Sequence, residues 1–171
     1  MSKELVVDAN VMALFSKSRI LEEVSSARTL IERSKEPGSF AIDSGGKIEN
    51  QWLTTCGSKP GSPFYEWFYQ RLKEGVIRPL SGTLHKDDKK HLRIDCGFPN
   101  DRFEITYVEV ANVSKTRYVV TEDIHFFEPS LKCDSESKKS KAKETRAGRV
   151  CVYLRKLNIR VGTIEHALVE T

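Results

Sequence analysis

The sequence predicts an α/β fold, a three-layer α/β/α sandwich around a central, mainly parallel sheet of five strands. Two observations lead to this prediction. Short apolar runs rich in β-branched residues recur along the chain, as expected of strands that are buried on both faces of a sheet. Segments with helical spacing separate these runs, and strands that alternate with helices form a parallel sheet covered on both faces. The 171 residues fit a single domain.

Five strand candidates follow one another along the chain. The first is wholly apolar and ends on Asp8, and the second ends on Asp43. The third contains Pro79, which is expected near a sheet edge or at the end of a strand. The candidates span residues 5–7, 39–43, 76–80, 117–120 and 159–162.

The segments between the strand candidates predict helices. Apolar residues from Ile20 to Ile31 follow helical spacing as far as the break at Pro37-Gly38. Ser62 and Pro63 fit the cap and the first position of another helix. Pro99-Asn100 opens a stronger helix. Further helices are predicted around residues 48–53, 87–94 and 144–157, and a short tail after residue 162.

Composition and cysteine usage exclude several classes of protein. No apolar run approaches the roughly 18–20 residues of a membrane span, and the N-terminus lacks the regions of a signal peptide. The four cysteines are dispersed, so neither a zinc site nor a disulfide framework is predicted, and a cytoplasmic location without membrane association is expected. The chain has no glycine-rich nucleotide-binding motif and no nucleophile elbow.

Positive charge is concentrated in one segment. The formal net charge is +4, but residues 138–149 alone contain six basic residues against one Glu. Such a segment suits contact with a phosphate backbone, and a solvated loop is the alternative. It overlaps a polar insertion at about residues 128–145. The predicted nucleic-acid-binding residues are Lys138, Lys139, Lys141, Lys143, Arg146 and Arg149.

Four carboxylates stand where the predicted topology can bring them to one end of the sheet. Asp8 ends the first strand and Asp123 follows the fourth. Glu49 lies on the helix after the second strand, and Asp101 opens the helix before the fourth. Each one alone fits a cap, a turn or a solvated helix face, but packing does not require an acid at all four places. Crowded carboxylates raise one another's pKa unless a cation neutralises them. Oxygen ligands of this kind suit Mg²⁺ or Mn²⁺.

These residues resemble the four acidic motifs of PIN-domain ribonucleases. The resemblance includes Asp8-Ala9-Asn10-Val11, Glu49, Asp101 and the segment 119–123, in the same order and over nearly the whole chain. It implies one PIN-like domain over residues 1–171, a five-stranded parallel sheet, and one or two Mg²⁺ or Mn²⁺ ions. Thr121 matches the hydroxyl that often precedes the last acid in these enzymes.

The site predicted from this resemblance has members with different roles. Asp8, Asp101 and Asp123 are predicted to bind metal and, with Glu49, to be catalytic. Asp43 and Glu66 stay open as alternatives to Glu49. Asn10 and Thr121 are expected to support the Asp8 carboxylate or a metal-bound water.

The predicted function is a metal-dependent endoribonuclease that cleaves single-stranded RNA. The alternatives are a catalytically silent PIN-like module for nucleic-acid binding or assembly, and a DNA-directed nuclease of the same fold. A haloacid dehalogenase-type phosphatase would need a second Asp where Asn10 stands. The basic insertion departs from the compact toxin-type members of the PIN family. An antitoxin or another protein partner, and a homodimer, are compatible with the sequence.

Overall fold

The computed structural model describes residues 3–98, 104–123 and 146–171. This part of the chain is α/β, and each pair of neighbouring strands in its sheets is parallel, which confirms the predicted class. The strands are β1 (Val6–Val7), β2 (Phe40–Asp43), β3 (Ile77–Leu80), β4 (Tyr118–Val120) and β5 (Arg160–Gly162).

Helices occupy most of the described chain between the strands. A π-helical turn, His91–Asp95, continues the fifth helix. The helices are α1 (Ala9–Ile20), α2 (Ser26–Arg33), α3 (Lys47–Cys56), α4 (Pro63–Lys73), α5 (Lys86–Lys90), α6 (Glu104–Val113), α7 (Arg146–Lys156) and α8 (Ile164–Glu170).

The described strands form two hydrogen-bonded sheets rather than one. The first has the order β1-β4-β5, and the second pairs β2 with β3. One parallel bridge between Leu5 and Phe40 connects them. The amide of Leu5 donates to the Ser39 carbonyl at 2.8 Å, and the Leu5 carbonyl accepts from Ala41 at 2.9 Å. β1 is too short to extend this ladder, so the predicted single sheet is found only in part; the arrangement is compatible with a three-layer α/β/α fold.

The centre of the core is β1. Leu5, Val6 and Val7 are completely buried, as expected of a strand covered on both faces. Helix α6 packs against β1, β2 and β4, and α1 packs against α2 and α3. The indole N–H of Trp52 donates to the Val7 carbonyl at 3.1 Å. This bond fixes the last residue of β1, immediately before Asp8.

The prediction of continuous helical spacing from Ile20 to Ile31 is wrong, because one helix ends at Ile20 and the next begins at Ser26. Helix α1 ends at Ile20, and Glu22 adopts a left-handed conformation with φ of 55°. Val24 is 91% exposed, so it belongs to no packing stripe. The Ser25 side chain then accepts from the amide of Arg28 and caps α2.

The residues after 162 were predicted to form a short tail, but Ile164–Glu170 forms helix α8. The Thr163 side chain accepts from the His166 amide at 3.4 Å and caps the helix. The Glu122 carboxylate accepts from the Ile164 amide at 2.8 Å. The second contact is tertiary, so local sequence spacing could not reveal it.

The cysteines differ from the sequence expectation. Cys56 and Cys96 are free thiols, but Cys151 is disulfide-bonded. The cytoplasmic location that was inferred from the cysteines stays a prediction. In the described ranges, every helix is too short or too polar to cross a membrane. The polar insertion at about 128–145 lies outside the described residues.

Candidate functional site

Asp8 lies between β1 and α1, beside the end of β4. Because β1 and β4 are parallel and paired, their carboxyl ends meet at one edge of the sheet. The Asp8 amide donates to the Val120 carbonyl at 3.0 Å, which extends the β1–β4 contact by one residue. Asp8 is only 6% exposed. The structure therefore places an almost buried acid at this edge.

The Thr121 hydroxyl links the two acids that follow β1 and β4. It donates to Asp8 Oδ2 at 2.7 Å and accepts from the Asp123 amide at 2.9 Å. The Asn10 side-chain amide lies 3.3 Å from Asp8 Oδ2 and 3.4 Å from Thr121 Oγ1. These contacts hold the Asp8 carboxylate in one orientation and bring Asp123 beside it.

The electrostatics of Asp8 are those of an acid that lacks a counter-charge. The pKa of Asp8 is raised from 3.8 to about 6, mainly by burial and in smaller part by the negative charge of Asp123. The Thr121 hydroxyl and the amides of Ala9 and Asn10 oppose this change, but no cation of the described chain contributes. A positive ion at this place would therefore stabilise the ionised form.

A buried tyrosine supports the start of α1. The Tyr107 hydroxyl accepts from the Ala9 amide at 3.2 Å and donates to Gln51 Oε1. Burial raises the pKa of Tyr107 well above its usual value, and the charges of Asp8 and Asp43 add to this effect. The hydroxyl thus stays protonated and connects α3, α6 and the residue after Asp8. This role of Tyr107 was not predicted, although the residue carries a hydroxyl on an otherwise apolar stripe of the predicted helix.

Glu49 faces away from this network. Its carboxylate accepts from the Tyr69 hydroxyl of α4 at 2.7 Å. Each residue turns an α-helix by about 100°, so Gln51 lies about 200° from Glu49, on the opposite face of α3. Gln51 is the residue of α3 that contacts Tyr107. No contact among the described residues joins Glu49 to Asp8 or Asp123.

The two alternatives to Glu49 also have structural partners. Asp43 accepts from the amides of Lys47 at 3.0 Å and Ile48 at 2.7 Å, and so caps α3. Glu66 accepts from the Gly61 amide at 2.8 Å. Of the three candidates for the second acid, Asp43 is the one whose charge reaches the Tyr107 hydroxyl.

Comparison with known proteins does not assign the chain to a family. No protein-family model, no curated protein and no solved structure matches it. The PIN-domain resemblance therefore rests on the residues alone and stays a prediction.

The described residues contain only some of the predicted metal ligands at the carboxyl ends of β1 and β4. Asp101 lies outside them, and within them no three His, Cys, Asp or Glu side chains form a group that could hold a metal ion. Asp8 and Asp123 are the two carboxylates that the described chain brings together. Glu122, between Thr121 and Asp123, instead binds the first residue of α8.

The structure describes two of the six predicted basic residues. Arg146 begins α7 and Arg149 lies one turn along it, partly exposed. The lysines at 138, 139, 141 and 143 lie outside the described residues. Arg149 also lines a cavity that is described below.

Proposed function

We propose that this protein is a metal-dependent nuclease with a PIN-like three-layer fold that cleaves single-stranded RNA. The observation that carries the proposal is the pair of acids at the ends of β1 and β4. Asp8 is almost buried, is held by Thr121, and has Asp123 as a charged neighbour. Two neighbouring carboxylates repel each other, and no basic side chain of the described residues contributes at Asp8. A divalent ion would offset this repulsion.

The topology supports a ligand site at this place. Across the Leu5–Phe40 bridge the strand order becomes β3-β2-β1-β4-β5. The chain moves outward from β1 to β2 and β3, and then returns to the other side of β1 with β4. Ligands of open α/β sheets bind at the carboxyl ends of the strands where the order reverses in this way. That position lies between the ends of β1 and β4.

The oxygen donors fit a hard divalent ion. Mg²⁺ commonly binds through one or two carboxylates and keeps several waters, and Asp8 and Asp123 would supply these carboxylates, with Asp101 as the predicted third ligand. A bound Mg²⁺ or Mn²⁺ ion would activate water for attack on a phosphodiester and stabilise the leaving oxygen. The chain itself orients the Asp8 carboxylate through Thr121 and Asn10.

The test is cleavage of labelled single-stranded RNA and DNA in Mn²⁺ and in EDTA. Wild-type protein is expected to cleave RNA in Mn²⁺ but not in EDTA. The Asp8→Asn variant is expected to lose cleavage in Mn²⁺ and to remain folded. The matched control is Asp87→Asn, because Asp87 has an 86% exposed side chain and no part in the site. Preferential cleavage of DNA would instead support the DNA-directed alternative.

The orientation of Glu49 toward Tyr69 favours one competing function. A PIN-like module with a silent site would bind nucleic acid but would not need the second acid beside Asp8. Tight RNA binding by wild-type protein, with no cleavage in Mg²⁺ or Mn²⁺, would establish that function and exclude the nuclease.

A further inference from the structure

A cavity of about 260 Å³ lies between the π-helical turn His91–Asp95 and helix α7. Buried Cys96 and Val152 form its apolar part. His91, Asp95, Arg149, Tyr153 and Lys156 supply the polar lining. Its volume is just below the roughly 300–1,000 Å³ of typical small-molecule sites. A single nucleotide-sized group suits such a space better than a larger ligand.

The described residues of the lining include more basic than acidic side chains. Arg149 and Lys156 are basic, and Asp95 is the one acid among those described. The Asp95 carboxylate lies 2.6 Å from the His91 ring nitrogen, so its charge is directed at His91. Burial raises the pKa of the Cys96 thiol, which therefore adds no negative charge. An anionic group is the expected ligand of this lining.

The cavity also has an aromatic wall that is held in place. The rings of His91 and Tyr153 lie 4.1 Å apart between centroids and are tilted by 34°. The Tyr153 hydroxyl donates to Asp88 Oδ1 at 2.6 Å, which restricts rotation of the ring. A fixed aromatic surface beside cations is the combination that binds bases and phosphates of single strands.

The position of α7 relates the cavity to the sheet edge that carries Asp8. In a parallel crossover, the helix that connects β4 to β5 begins at the carboxyl edge and runs back along the sheet. Arg149 lies in the first turn of α7 and Lys156 is its last residue. At 1.5 Å per residue, they are separated by about 10 Å along the helix axis. The Arg149 end of the cavity therefore lies nearer to that edge than the Lys156 end.

We propose that this cavity binds one nucleotide of a single-stranded nucleic acid. The base contacts the His91–Tyr153 pair, and a phosphate contacts Arg149 and Lys156. This inference rests on the proposed function for the identity of the strand, but it assigns a binding site away from Asp8. Its consequence is that strand affinity depends on residues that take no part in cleavage.

The test is binding of a labelled oligoriboadenylate, measured in EDTA so that no cleavage is required. Lys156→Gln is expected to reduce the salt slope of binding by about 0.7, the value for one lost single-strand phosphate contact. The matched control is Arg155→Gln, which removes the same charge from the preceding position of α7 but does not touch the cavity. Equal slopes for Lys156→Gln and Arg155→Gln would overturn the proposal.

The aromatic wall is tested separately. Tyr153→Leu is expected to weaken binding about 5- to 150-fold, which corresponds to one lost base–aromatic stack. Tyr153→Phe keeps the ring and loses only the bond to Asp88, so it is expected to retain most of the affinity; similar losses for both variants would contradict stacking. Circular dichroism checks that both are folded.

Competition identifies the source of the nucleotide. Adenosine monophosphate is expected to compete with the labelled strand, and inorganic phosphate alone much less. Saturable binding of the mononucleotide without competition would overturn the assignment to a strand. Because these measurements need no catalysis, an inactive protein whose binding still depends on Tyr153 and Lys156 would refute the nuclease and leave this site intact.

Discussion

Asp8→Asn gives the most direct test of the site's electrostatics, because it removes one charge and little volume. In metal-free protein the folded-state pKa of Asp8 is about 6, against 3.8 for an ordinary Asp. Well below pH 3.8 the carboxyl is protonated in both the folded and the unfolded state, and folding carries no penalty from it. As the pH rises to about 6, the folded chain holds a proton that the unfolded chain has lost. The free energy of unfolding of the wild type therefore falls over this interval.

The size of this effect follows from the same two pKa values. At about 1.4 kcal/mol for each pH unit, the interval from 3.8 to about 6 corresponds to about 3 kcal/mol. Asparagine has no such penalty, but its hydrogen bonds with Thr121 and Asn10 are weaker by about 1 kcal/mol in total. Asp8→Asn is therefore expected to be more stable than wild type by about 1–2 kcal/mol near pH 7.5, and no more stable near pH 4.

Urea unfolding in EDTA at several pH values measures this difference. Asp87→Asn serves as the control, since it removes one carboxylate charge from an exposed side chain outside the site. Adding Mg²⁺ should stabilise the wild type near pH 7.5 and have little effect on Asp8→Asn. Parallel pH profiles for wild type and Asp8→Asn would refute the account of Asp8 as a buried, uncompensated acid.

Three further predictions address the surroundings of the site. Tyr107→Phe leaves the Ala9 amide and Gln51 without their shared hydrogen-bond partner, so we expect the free energy of unfolding to fall by about 1–3 kcal/mol. We also expect kcat to fall about tenfold with little change in KM. An unchanged kcat would exclude a positioning role for Tyr107. In the cleavage assay, Asp43→Asn should reduce kcat more than Glu49→Gln, because the charge of Asp43 reaches Tyr107, and the reverse order would restore Glu49 as the second acid. Replacing the six basic residues of 138–149 by Ser or Gln should flatten the salt slope of RNA binding by up to about 0.7 per lost contact, with a smaller change in maximal cleavage; equal slopes would favour a loop that serves only solubility or a protein partner.

The features that sequence predicted well depend on local pattern. The apolar run before Asp8 identified a buried strand, and Ser62-Pro63 located the start of α4. Burial of β1 and the proximity of its end to that of β4 follow from parallel pairing, which alternating strands and helices already imply. These inferences need only the order of elements and their polarity.

The features that sequence could not predict depend on how helices are rotated and packed. Helix α3 was located correctly, but the direction of Glu49 depends on which face of α3 packs inward, and Trp52 decides this by burying its ring. A shift of two positions, from Glu49 to Gln51, moves a side chain to the opposite face. The exposure of Val24 likewise depends on a turn with no marked sequence signal.

The bond between Thr121 and Asp8 joins residues that are 113 positions apart. During synthesis, β1, β2 and β3 leave the ribosome well before β4, so the nascent chain can assemble the contact between Leu5 and Phe40 first. The other edge of β1 stays open until Val119 and Val120 emerge, and only then can Thr121 and Asp123 reach Asp8. A truncated chain that ends before β4 therefore lacks the paired acids.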